Sequence, residues 1–216
     1  MENEDFKCYF TLCEVWKERQ LILEAIVLGL ALGFVRNGRL NNFADMKFRG
    51  GFLIILGFIA FVMPFISGIL GFDLDNIQLY PFIAGIIGML VIIFNIEKSG
   101  MKLILLGGLI NLIIIGLNHF QMPVDLTKMA AAGMGSLVDS IQSGSIINLI
   151  GLENSHFLSQ YLGKIFILPS WYPLNKLLSI GDIIMSIGII FLVQGEMMMF
   201  SSKRGNMVTF QYNPHK

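Results

Sequence analysis

The residues best suited to chemistry lie near the end of the chain, where Ser179 stands three positions before Asp182 at the head of the apolar run Leu178 to Val193. A carboxylate placed there has two uses. It can accept hydrogen bonds from the unpaired N–H groups of a helix start while the serine hydroxyl reciprocates, as in a capping box. It can also be half of an acid–base pair, in which proximity keeps one carboxyl protonated and the other ionised. Asn111 and Asn118 share one stripe of an earlier helix, and Ser186 follows Asp182 by one turn. Asparagine in hydrocarbon seeks a partner. Asn111, Asn118, Ser179, Asp182 and Ser186 therefore form the candidate polar site, where two helices meet. Such a cluster serves either as a functional site or as interhelical bonding that holds the helices together.

Other chemistry has less support from spacing. His119 and His156 share a long loop with Asp125 and Glu153, but no His-x-x-x-His spacing joins them, so they read as surface histidines. There is no phosphate-binding Gly-Lys-Ser/Thr loop, no Gly-x-Ser-x-Gly elbow and no Cys-x-x-Cys. Cys8 and Cys13 alone build neither a disulfide framework nor a four-ligand zinc site. No cofactor, no metal and no catalytic residue is expected.

The elements that must position these residues are set by composition. Of 216 residues 55% are hydrophobic and 14% charged, and the mean hydropathy is +0.71. That places the chain among integral membrane proteins, as an all-α polytopic bundle of about five transmembrane helices. The net charge of zero gives no bulk attraction to nucleic acid.

The expected spans are Leu21 to Val35, Gly51 to Gly71, Tyr80 to Ile96, Leu103 to Leu117, and a last one from about Ser179 to Phe200. Gly29 and Gly33 make a small-xxx-small pair on the first, and Gly181, Gly188 and Gly195 recur every seven residues on the last. Both patterns permit close helix approach. Pro64 is expected to kink the second span. Arg36, Arg39, Lys47, Arg49, Lys98, Lys102, Lys203, Arg204 and Lys216 fall on one side of the alternating spans, nine of fifteen bases. The positive-inside rule then puts the N-terminus outside and the C-terminus inside a bacterial cytoplasmic membrane.

Residues 119–178 form the one long outer loop. Leu126, Met129, Ala130, Leu137, Val138 and Ile141 recur near helical spacing, which predicts a helix lying flat on the membrane from Leu126 to Ile141. Trp171-Tyr172 between Pro169 and Pro173 suits an interfacial aromatic belt. The domains are thus a tail at 1–20, a transmembrane domain at 21–200 with its outer loop, and a cytoplasmic tail at 201–216. The charged tail at 1–20 reads either as a short interfacial helix or as the product of a start assigned upstream of the true one near Leu21 or Leu23.

Four short motifs recur in order: Arg36-Asn37-Gly38-Arg39-Leu40 with Ala44 to Arg49; Asn118 to Val124, ending Met-Pro-Val; Leu162-Gly163-Lys164 followed by Leu168-Pro169; and Ser179-Ile180-Gly181-Asp182. On these the chain resembles DUF5317, a family of bacterial integral membrane proteins, from about Leu23 to Val193. The resemblance implies no activity. The chain departs from it at Asn118-His119-Phe120-Gln121, where the family tends to have Asn-Gly-Gly, and at Lys164, where it tends to have Asp.

The last span is also similar to the end of lipoprotein signal peptidases, in which two aspartates share catalysis. Asp182 matches one of them, but Lys164 occupies the place of the plausible second, and an ammonium cannot complete that dyad. A Lys164–Asp182 ion pair is the plainer reading. The function favoured is a scaffold, assembly or regulatory subunit that uses the outer loop, not an enzyme, with the lipid bilayer and another membrane protein or a second copy as partners. The alternatives are a membrane-embedded hydrolase using Asp182 and a small-solute carrier.

Overall fold

The computed structural model describes residues 21–71, 74–146, 148–168 and 177–204, except for the side chains at 44, 45, 167 and 199–204. The charged tail, Asp73, the Trp171-Tyr172 belt and the chain after 204 lie outside the described residues.

The described chain is mostly helical. Five long apolar helices carry it: α1 (Leu21–Val35), α2 (Gly51–Leu70), α3 (Leu79–Phe94), α4 (Met101–Leu117) and, numbered in chain order after the smaller elements, α8 (Ile180–Arg204). Two of them, α2 and the Ile180–Met198 part of α8, are long and apolar enough to cross a membrane. Their ends follow local chemistry. Gly50 and Gly71 flank α2 at φ 88° and 70°, and Gly100 precedes α4 at φ 80°, left-handed positions that glycine takes without steric cost. Pro64 lies inside α2, where the Ser67 hydroxyl donates to its carbonyl at 2.9 Å.

The helices pack in the spatial order α2, α3, α4, α8, α1. Glycine makes the tightest seam. On α8, Gly188 meets the Gly100 carbonyl and the Ile104 N–H, Gly181 meets Gly107 and Asn111, and Gly195 meets Ser99. A Cβ at Gly188 would stand 2.9 Å from the Gly100 oxygen, so a side chain there would push α4 and α8 apart. On the other flank of α8, Gly29 meets Val193 and Gly33 meets Met197. The residue pairing runs in opposite directions along α4 and α8, but in the same direction along α1 and α8.

At one end of the bundle the connections are basic and tightly tied. Asn95, 1% exposed, accepts from the Arg49 N–H at 2.9 Å and donates to the carbonyls of Arg49 and Val91. The Arg39 N–H and the Asn42 amide both donate to the Met197 carbonyl, which seats the 3-10 turn Leu40–Asp45 on α8.

The opposite end carries a cap to which the described residues 118–146, 148–168 and 177–179 belong. Strand β1 (Met122–Val124) pairs in parallel with β2 (Leu149–Gly151), Met122 opposite Leu149, and Val124 also bridges to Lys164. Helices α5 (Leu126–Ala131) and α6 (Gly135–Gln142) follow β1; a short α7 (Ser159–Leu162) precedes β3 (Phe166–Ile167), which pairs antiparallel with β4 (Leu177–Leu178). This corrects the expected single flat helix. The segment breaks at Gly133, φ 80°, and its apolar residues Met129, Leu137, Val138 and Ile141 are buried in a core shared with Val124, Met134 and Ile146. Helical spacing showed which residues are apolar on one face but not what that face meets.

Asp125 caps α5. Burial raises its proton affinity, but bonds from the Thr127 hydroxyl and the Lys128 N–H, with the Lys128 ammonium 3.2 Å away, outweigh that and hold the carboxyl below the usual range.

Candidate functional site

Where α8 begins, Ser179 and Asp182 form the reciprocal pattern of a capping box. The Asp182 N–H donates to the Ser179 hydroxyl oxygen at 3.0 Å, and the Ser179 N–H donates to Asp182 Oδ2 at 3.0 Å. Asn111 on α4 completes the cluster. Its amide donates to Asp182 Oδ1 at 2.7 Å, and its Oδ1 accepts from the Ser179 hydroxyl at 2.8 Å. Ser186, a turn further on, donates to the Asp182 carbonyl at 2.8 Å. The heptad glycines put Asn111 within reach, since Gly181 lies directly against its side chain.

Each of these groups therefore satisfies another. Both Asp182 oxygens accept from neutral donors, and the carboxylate sits in the positive first turn of its helix. Such an arrangement fixes the start of α8 and its height against α4. It also leaves little unmet polarity on the wall that these residues share.

Asn118 lies apart from this group. Its amide donates to the Ile114 carbonyl and to the Ser159 hydroxyl at 3.0 Å, while its Oδ1 accepts from the His156 N–H at 2.7 Å. It thus ties the end of α4 to the cap and does not reach Asp182. His119 and Phe120 both adopt left-handed backbone, at φ 53° and 65°. Glycine meets that requirement freely, whereas a bulky residue is strained there.

Between the cap and the bundle is a cavity of about 570 Å³. Asn111, Asp182 and Ser186 are on its bundle wall, Asn148 and Lys164 on its cap side, and most of the remaining lining is apolar. Sequence reading missed a second polar cluster, at the basic end. The Lys98 ammonium meets Glu196 Oε1 at 2.9 Å, Glu196 is 2% exposed, and the same ammonium lies 5.2 Å from the Phe48 ring centre. An acid in the middle of an apolar helix was the available signal for it. Among the described residues, no group of three or more His, Cys, Asp or Glu side chains could hold a metal ion.

Fold and site together define a mostly helical protein whose apolar helices, two of them of membrane-crossing length, are closed at one end by a small folded cap. Within that class the chain belongs to the family of unknown function DUF5317, whose family model matches residues 45–194. No curated protein and no solved structure matches it.

Proposed function

We propose that the chain is a five-span protein of the bacterial cytoplasmic membrane, N-terminus outside and C-terminus inside, acting as a non-catalytic scaffold, assembly or regulatory subunit through its outer cap. The observation that carries the non-catalytic part is the engagement of both Asp182 oxygens by Ser179 and Asn111. The acid holds a helix start and a helix pair, which is a structural use of its charge. Five apolar helices support the span count; α1, α3 and α4, with 15, 16 and 17 described residues, are the shorter three. Arg36, Arg39, Lys47, Arg49, Lys98 and Lys102 at one end support the orientation. The cap supports a partner role, because Phe157 and Tyr161, one turn apart, are exposed by 66% and 63%.

The test is purification in mild detergent through a C-terminal tag, with Phe157→Ala/Tyr161→Ala beside Asp182→Asn. A partner lost from the double variant and retained by Asp182→Asn is the expected result. If Asp182→Asn abolishes the cellular phenotype while the fold and the partner remain, the hydrolase reading replaces this one. Single cysteines at positions 42 and 154 should be labelled from opposite sides of the membrane; labelling from the same side rejects the orientation.

A further inference from the structure

Three features of the cavity beneath the cap point to an apolar occupant. Its volume, about 570 Å³, lies within the range of small-molecule sites, roughly 300–1,000 Å³. The polar side chains on its bundle wall are already bonded, Asn111 to Asp182 and to Ser179 behind the wall, and Ser186 to the Asp182 carbonyl, so that wall offers little to a polar ligand. The cap contributes Met122, Met129 and Met134 and the bundle Met185, unbranched thioethers that adapt to irregular apolar shapes.

The cavity is also continuous with the exposed apolar surface. Ile22 on α1 and Phe61 on α2 both line it, and both are exposed, by 47% and 40%. Ile22 and Phe61 belong to different helices, so the cavity meets the exposed apolar surface on both α1 and α2. At its rim Phe120 is held in strained left-handed backbone with its ring 4.9 Å from that of Phe82. Strain of that kind persists where the surroundings impose it and is concentrated at ligand-holding sites.

On these grounds we infer that the cavity is a binding site for one hydrocarbon chain of a bilayer lipid, inserted sideways past Ile22 and Phe61 and covered by the methionines of the cap. The inference rests on the five-span reading. Inside a bilayer, the medium next to Ile22 and Phe61 is hydrocarbon, which fills the apolar part of the cavity. The chain then does for the cap what a side-chain core does elsewhere, supporting Met129 and Met134 from below.

The experiment uses the full chain reconstituted in vesicles of phosphatidylglycerol and phosphatidylethanolamine that include a phospholipid with a diazirine in its acyl chain. After irradiation, labelled peptides are mapped. Label is expected on the peptide holding Met129 and Met134, which are 2% and 7% exposed and out of reach of lipid around the bundle. It is also expected on exposed α2 residues such as Phe52 and Phe58. Ser186→Phe and Ile189→Trp, each filling the cavity from α8, should lower the cap label at least fivefold and leave the α2 label unchanged. Cap label that is absent from the parent, or undiminished in both variants, overturns the lipid-chain site while α2 label upholds the membrane reading. Absence of label from α2 as well overturns the membrane reading itself.

Discussion

The two ends of α8 secure an acid in opposite ways. At the capped end Asp182 is satisfied by neutral donors, the Ser179 N–H and the Asn111 amide. At the basic end Glu196 is satisfied by a full opposite charge on Lys98. The first solution is local and geometric, because a helix start supplies N–H groups without a second charge. The second depends on a distant residue, since mid-helix no N–H is free. An acid at a helix start therefore tolerates the loss of one partner better than an acid buried along the helix.

The sharpest way to break that comparison is Lys98→Met. It leaves Glu196 buried without its counter-charge, an expected loss of about 3–5 kcal/mol. Lys98→Met combined with Glu196→Leu should recover most of that loss in thermal unfolding in detergent. If the single variant is as stable as the double, the ion pair does not hold this end. At the capped end Asn111→Leu removes one donor to Asp182 and the acceptor of the Ser179 hydroxyl, for about 1–3 kcal/mol. Asp182→Asn, which keeps an oxygen for the Ser179 N–H, should cost about 1 kcal/mol. The same unfolding series ranks them, and the reverse order would mean that charge, not hydrogen bonding, governs the helix start.

Acid separates the two ends further. The Asp125 carboxyl sits below its ordinary value of 3.8 in the folded cap. Its contribution is therefore fully present well above that value and is lost as the pH falls through the folded value. The protection factors of α5 amides, taken against the intrinsic exchange rate at each pH, should fall on acidification in the parent and be already low, without that pH dependence, in Asp125→Asn. A pH response that survives the substitution would point to another group. The smallest effect has the opposite sign. His119→Gly relieves about 1–2 kcal/mol of left-handed strain and gives back about 0.5–1 kcal/mol in chain entropy, so a net gain of about 0.5 kcal/mol is expected, read as a small rise in melting temperature. A loss would show that the His119 side chain makes a contact worth more than its strain.

How far the sequence could be read follows from the range of each interaction. The long helices were legible because apolar runs and glycine boundaries are local, and α4 begins two residues before its expected start. The capping box was legible because Ser179 and Asp182 are three residues apart. That Asn111 meets Asp182 was reachable by placing polar stripes and heptad glycines on facing helices. The Lys98–Glu196 pair was not, since 98 residues separate the partners and Glu196 in its apolar helix signals a partner without saying which. Neither was the cap, whose parallel β1–β2 pair and enclosed core turn an amphipathic pattern inward. Two consecutive left-handed residues at His119 and Phe120 leave no compositional trace when glycine is not used.

The seating of α1 on α8 also affects how the protein is made. Gly29 and Gly33 find Val193 and Met197 only after about 160 more residues have been added. At roughly 5–20 residues per second, the first helix waits about 10–30 s for the last. During that interval its glycine face lies open to whatever else is near the ribosome. A nascent chain stalled before residue 180 would keep α1 without its mate.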